Sequence, residues 1–184
     1  MKKVFILATL AAILLASCEK VKDATSKDIT VEGVEFKFSE KTVSGISGTS
    51  MMKSATTNST FNITREVDIS ELSDSEVIEY ANKIKKVKIN SSLLKVTMSV
   101  PGVFKVTDFE IYAKDVGSFS ISDYTVGEEL VPSKEMNAYM AEVIKKLLNT
   151  KKLEVTVKGK TDAPAGTTVT VSYKNDIVFT VSLL

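Results

Sequence analysis

The feature that most constrains this chain is an alternation of apolar and polar residues that recurs from Ile29 to its last residues. Val34, Phe36 and Phe38 alternate with Glu35 and Lys37, and Phe61, Ile63, Val67 and Ile69 resume the pattern. A period of two places successive side chains on opposite faces of an extended strand, so each run buries one face and wets the other. The pattern returns at Val87 and Ile89, at Leu94, Val96 and Met98, through Phe104 to Ala113 and Val116 to Ile121. It closes with Leu153, Val155 and Val157, then Val169, Val171 and Tyr173, then Ile177 to Leu184. Pro101-Gly102, Ala163 to Gly166 and Asn175-Asp176 carry turn chemistry, and the last two predict an antiparallel meander at the C-terminal end.

Helical spacing occurs in two windows. Val77, Tyr80, Ala81 and Ile84 fall at i, i+3, i+4, i+7, with Ser73 and Glu76 spaced as a capping box, which predicts a helix near 74–85. Ser133 can cap a longer helix over 133–149, where Met136, Met140, Val143, Ile144, Leu147 and Leu148 form a wide stripe and Asn149 supplies a stop. The fold class expected is mainly β: a two-layer antiparallel β-sandwich with both helices packed on or capping it. The alternative is an α+β fold with a duplicated strand-helix-strand unit, because 61–97 can be laid on 119–156 with Phe61, Ile63 and Ala81 matching Phe119, Ile121 and Ala141. Between Thr42 and Thr60, twelve of nineteen residues are Ser, Thr or Gly, which predicts a long mobile loop.

The N-terminus follows other rules. Lys2 and Lys3 precede an uncharged run from Val4 to Cys18, fifteen residues, whereas a bilayer span takes roughly 20. Such a segment is a removable leader. Its end, Leu15-Ala16-Ser17-Cys18, resembles the lipobox of bacterial lipoproteins. The resemblance covers residues 1–18 and implies cleavage between Ser17 and Cys18, a diacylglyceryl group on the Cys18 thiol and acylation of its new amino group. On that basis 1–17 is a signal peptide, 18–27 a lipidated tether and 28–184 a single β-rich domain. The expected location is the cell envelope, with the outer membrane as the commonest destination and the periplasmic or surface side left open.

Composition narrows the function. The chain has no His, which removes the usual general base, the Ser-His-Asp and Cys-His arrangements and imidazole metal sites. With 24 Lys plus Arg against 23 Asp plus Glu it carries no net field for a polyanion, so nucleic acid is not an expected partner. Its one Cys is the lipidation residue, so the mature fold rests on its core without an internal disulfide.

The remaining candidates are weaker patterns. Ser-x-x-Lys spacing occurs at Ser17, Ser50 and Ser92, as often as chance supplies it, and the copy ending at Lys53 lacks the partner motifs of serine acyl-enzymes. Gly159-Lys160-Thr161 ends like a phosphate-binding loop but has Glu154 where the first Gly belongs. Asp68, Asp74, Glu76, Glu128 and Glu129 are better explained as helix-start and turn charges than as a calcium or acid/base site. Lys83, Lys85, Lys86 and Lys88 form a basic cluster that could touch anionic lipid head groups, and Lys145, Lys146, Lys151 and Lys152 form a second. Tyr112, Tyr124 and Tyr173 are the rings a glycan could use, and Met136 and Met140 are read as core filling.

The expected function is a non-enzymatic envelope lipoprotein, a tethered binding or assembly module. Its expected partners are the membrane, through Cys18, and another envelope protein or surface component; no cofactor or metal is expected. A carrier of a lipid or other apolar ligand under the 133–149 stripe is the alternative, and a Ser/Lys/carboxylate hydrolase is a third.

Overall fold

The computed structural model describes residues 25–44, 59–72 and 74–183, and over these the alternating segments form strands. In chain order they are β1 (Ser26–Lys41), β2 (Val43–Ser44), β3 (Ser59–Asp68), β4 (Ile84–Met98), β5 (Lys105–Ala113), β6 (Gly117–Ile121), β7 (Tyr124–Thr125), β8 (Glu129–Leu130), β9 (Lys152–Thr161) and β10 (Thr168–Ser182). One sheet has the order β1-β10-β4-β8 and the other β2-β3-β9-β5-β6, with β7 also on β5. All of these pairings are antiparallel. The result is the predicted two-layer antiparallel sandwich, its core lying between inward faces such as Phe36 and Phe38 on β1, Val171 and Tyr173 on β10, and Val155 and Val157 on β9.

The phase of the alternation slips in several strands, and each slip is a bulge. Ile29 and Val31 face inward on β1, then Val34, Phe36 and Phe38; the register with β10 shifts between Val31 and Val34. Gly33 takes φ +68 there, a left-handed conformation open to glycine at little steric cost. On β4 the inward set passes from Ile89 to Leu94, and its register with β10 shifts at Asp176/Ile177. The central strand β10 keeps one phase throughout, from Val169 to Val181. The predicted turn at Asn175-Asp176 therefore does not form. β10 runs straight through it because neighbours on both sides supply hydrogen bonds that a hairpin tip would lose.

The C-terminal meander is likewise replaced. β9 belongs to one sheet and β10 to the other, so the segment around Ala163 to Gly166 carries the chain across the sandwich. Gly159 on β9 permits this face to close, since a Cβ there would stand 2.8 Å from the Phe61 ring.

The first predicted helix is far shorter than expected. Its α-helical part, α1, spans Ser75–Glu79, followed by a 3-10 turn at Ala81–Lys83, because Ile84 already enters β4. Asp74 caps it, accepting from the Glu76 and Val77 amides. The second helix, α2, spans Lys134–Thr150 with Ser133 as its cap. It passes the predicted stop at Asn149 and ends at Lys151, whose φ of 68 makes the left-handed cap. The duplicated unit does not appear: β3 and β4 lie in different sheets around a five-residue helix, whereas β6 and β9 share a sheet across a helix of seventeen. The predicted loop begins with Thr42, which is buried, and β2; residues 45–58 lie outside the described residues.

Helix α2 bridges the two sheets. All six residues of its stripe are buried. The Tyr139 hydroxyl donates to the Ile111 and Gly117 carbonyls, 3.1 and 3.0 Å away in the β5–β6 hairpin. Asn137 Oδ1 accepts from the Ser92 hydroxyl of β4 at 2.6 Å and from the Tyr173 hydroxyl of β10 at 3.2 Å. Under the stripe remains a cavity of about 30 Å³ lined only by apolar residues and Tyr173, among them Phe36, Val67, Ile111 and Ile144. That is well below the roughly 300–1,000 Å³ of a typical ligand pocket.

Candidate functional site

Ser26 lies opposite Ser182, and Val181 opposite Ile84, so the starts of β1 and β4 and the finish of β10 share one end of their sheet. The Leu183 amide donates to the Thr25 carbonyl there, and Lys27 pairs with Glu76 of α1, which brings α1 to the same end. Ser17 and Cys18 lie outside the described residues, yet the chain from them enters the domain at this end. β1 starts at Ser26, two residues before the expected start of the domain at 28.

All four residues of the first lysine cluster are exposed at or near this end. Lys83 closes the 3-10 turn, Lys85 sits where the β4–β10 register slips between Thr180 and Val181, and Lys86 and Lys88 stand on the outer face opposite Thr180 and Val178. None of the four forms an ion pair among the described residues. The second cluster differs, because Lys145 pairs with Glu142, Lys146 with Asp115 and Lys152 with Glu66. Two apolar side chains that sequence reasoning passed over flank the first cluster: Ile78 of α1 is 38% exposed and Leu183 is 47% exposed.

Among the described residues the catalytic patterns are not assembled. Ser50 and Lys53 lie outside the described residues, as do Ser17 and Lys20. Ser92 donates to Asn137 while Lys95 reaches Glu129, so that pair does not interact. Gly159 to Thr161 lie within β9, where Lys160 pairs with Asp108. Asp74 caps α1, Glu76 pairs with Lys27, Glu129 with Lys95, and Asp68 accepts from the Ser70 amide, which holds its carboxyl below the usual range. Among the described residues no group of acidic residues could hold a metal ion. Of the three tyrosines, Tyr112 alone is exposed; the Tyr124 hydroxyl is held between the Glu128 carbonyl and the Val96 amide. Met136 and Met140 are buried core.

Other displaced titrations trace to buried phenols and surface pairs. Burial pushes the Tyr139 and Tyr173 hydroxyls up to about 12. The Ser91 hydroxyl, and after it the Gly33 amide, hold Asp176 below its ordinary value. The Ser172 hydroxyl and Lys37 do the same for Glu35. No helix among the described residues is long and apolar enough to cross a membrane.

No family model and no curated protein matches the chain in sequence. Solved structures that overlap the chain loosely include a chain of Desmodium yellow mottle tymovirus, 10% identical, with 86% of this chain and 90% of that one covered and a TM-score of 0.34. A Penaeus vannamei nodavirus chain is 9% identical, with 85% and 55% covered and a TM-score of 0.36. A Macrobrachium rosenbergii nodavirus chain is 6% identical, with 86% and 54% covered and a TM-score of 0.34, so this chain spans about half the length of either nodavirus chain. Overlaps this loose establish neither kinship nor function.

Proposed function

We propose that the protein is a cell-envelope lipoprotein, held to the outer membrane by acyl chains on Cys18, whose sandwich serves as a non-enzymatic binding or assembly module. The observation that best supports the reading is the place where β1 begins: the chain is already paired at Ser26, so only a short segment separates Cys18 from the sheet. Two or three acyl chains, at about 0.8 kcal/mol per buried methylene, retain such a domain stably where one chain does so marginally. On this reading the opposite end faces outward, where Val43 on β2 and Val103 in the connection beyond β4 are 63% and 82% exposed. That end is the surface offered to another envelope protein or surface component.

Processing in cells tests the anchor. Intact-mass measurement of the mature protein should show cleavage before Cys18 and added acyl mass, and Cys18→Ala should leave the chain unprocessed or release it from membranes. Normal processing of Cys18→Ala with unchanged membrane retention overturns the reading.

A further inference from the structure

We infer that the end of the domain where β1 starts is a docking face for anionic phospholipid head groups, with Lys83, Lys85, Lys86 and Lys88 as its cationic contacts. The inference rests on the lipoprotein reading and adds to it an orientation of the domain on the bilayer. Its first support is covalent reach. Seven residue steps separate Cys18 from Thr25, and at roughly 3.3–3.6 Å each the fully extended tether covers only about 25 Å. The face carrying the lysines is therefore kept near the leaflet that holds the acyl chains, whatever path the tether takes.

Charge complementarity is the second support. The four lysines form no ion pair among the described residues, a state they share with Lys41, Lys105, Lys114, Lys134, Lys151 and Lys174, and what sets them apart is that they lie together at or near the end where the chain enters. The end is polarised rather than uniformly basic. Asp28 on β1 and Asp74 and Glu79 around α1 carry the negative charge, and Lys27 matches Glu76. Asp28 and Lys86 sit on either side of Thr180 across β10, about 10 Å apart at the usual strand spacing, which is about one Debye length in ordinary salt. An anionic surface thus attracts the β4 side and repels the β1 side, tilting the domain so that β4 approaches the head groups. Ile78 and Leu183, exposed at the same end, supply apolar contacts of the kind that interfacial segments bury.

Vesicle binding of the unacylated mature polypeptide, residues 19–184, separates this face from the anchor, since those residues contain the whole described fold. Equimolar phosphatidylglycerol and phosphatidylcholine vesicles should bind it in low salt, and phosphatidylcholine vesicles should not. The variant K83E/K85E/K86E/K88E should bind the mixed vesicles at least about tenfold more weakly, whereas K158E/K160E on β9 should stay within about twofold of wild type. If the fourfold variant fails to fold, as judged by circular dichroism, K86Q/K88Q replaces it, with a loss of at least about threefold expected. No binding of wild type to the mixed vesicles, equal binding to both vesicle types, or no loss on substitution overturns the inference. None of those outcomes bears on whether Cys18 is acylated, which the mass measurement decides independently.

Discussion

Asp176 stands on β10 with one carboxylate oxygen accepting from the Gly33 amide at 2.9 Å and the other from the Ser91 hydroxyl. One side chain thereby spans the bulges of both neighbouring strands. Both donors favour its charged form, so its folded pKa lies below the ordinary value of 3.8. The stability this contributes is present above the unfolded value and is lost as pH falls toward the folded one. Asp176→Asn should lower the urea midpoint at neutral pH and flatten the decline in stability below about pH 4; an unchanged acid limb would show that the carboxylate does not pin the bulges. Tyr139 and Tyr173 titrate in the opposite sense. Their folded values of about 12 lie above the ordinary 10, so the native state keeps protons the unfolded chain has released, and stability falls as pH rises through that window. Tyr139→Phe should cost about 1–2 kcal/mol at neutral pH, because the Ile111 and Gly117 carbonyls lose its hydroxyl. It should also make the alkaline decline shallower, which denaturation midpoints measured against pH will show.

At the scale of elements, α2 is the piece whose sequence and structure agree most closely. A stripe wide enough to touch both layers was legible because the six residues share one helical face whatever surrounds them. Leu147→Ala, which empties a fully buried position, should cost about 2–5 kcal/mol in denaturant titration. The helix end was misread because Asn149 is a permissive stop, whereas the chain turns at Lys151 to let its carbonyl accept from the Ile69 amide. Lys151→Gly should remove the left-handed penalty and stabilise by about 0.5–1 kcal/mol, read as a raised Tm. The first helix forms where expected but stops early for a similar reason: Val77 and Ala81 are buried as its spacing requires, but pairing between Ile84 and Val181 outweighs the propensity to continue. At the candidate site, the lysine cluster was visible as a run of charge, while its isolation from carboxylates and its nearness to the start of β1 were not.

For the molecule as a whole, β10 is the decisive strand. It is the last in sequence and lies between the first strand and β4, so one sheet cannot form until the chain is nearly complete. Removing residues 168–184 should abolish cooperative unfolding altogether, since β1 and β4 would each lose their shared partner; retention of a sharp thermal transition in that truncation would refute this. The sequence alone determined the mainly β class, the long helix and its buried face, and the lipobox resemblance that motivates an anchor. Those properties depend on spacing within a few residues. Only the tertiary structure decided which sheet each strand joins, and whether a slip in the alternation is a turn or a bulge. The two look identical locally, and what separates them is a partner that can lie 143 residues away, as Asp176 does from Gly33. A backbone amide follows the acceptor that satisfies it, and no local pattern records where that acceptor will be.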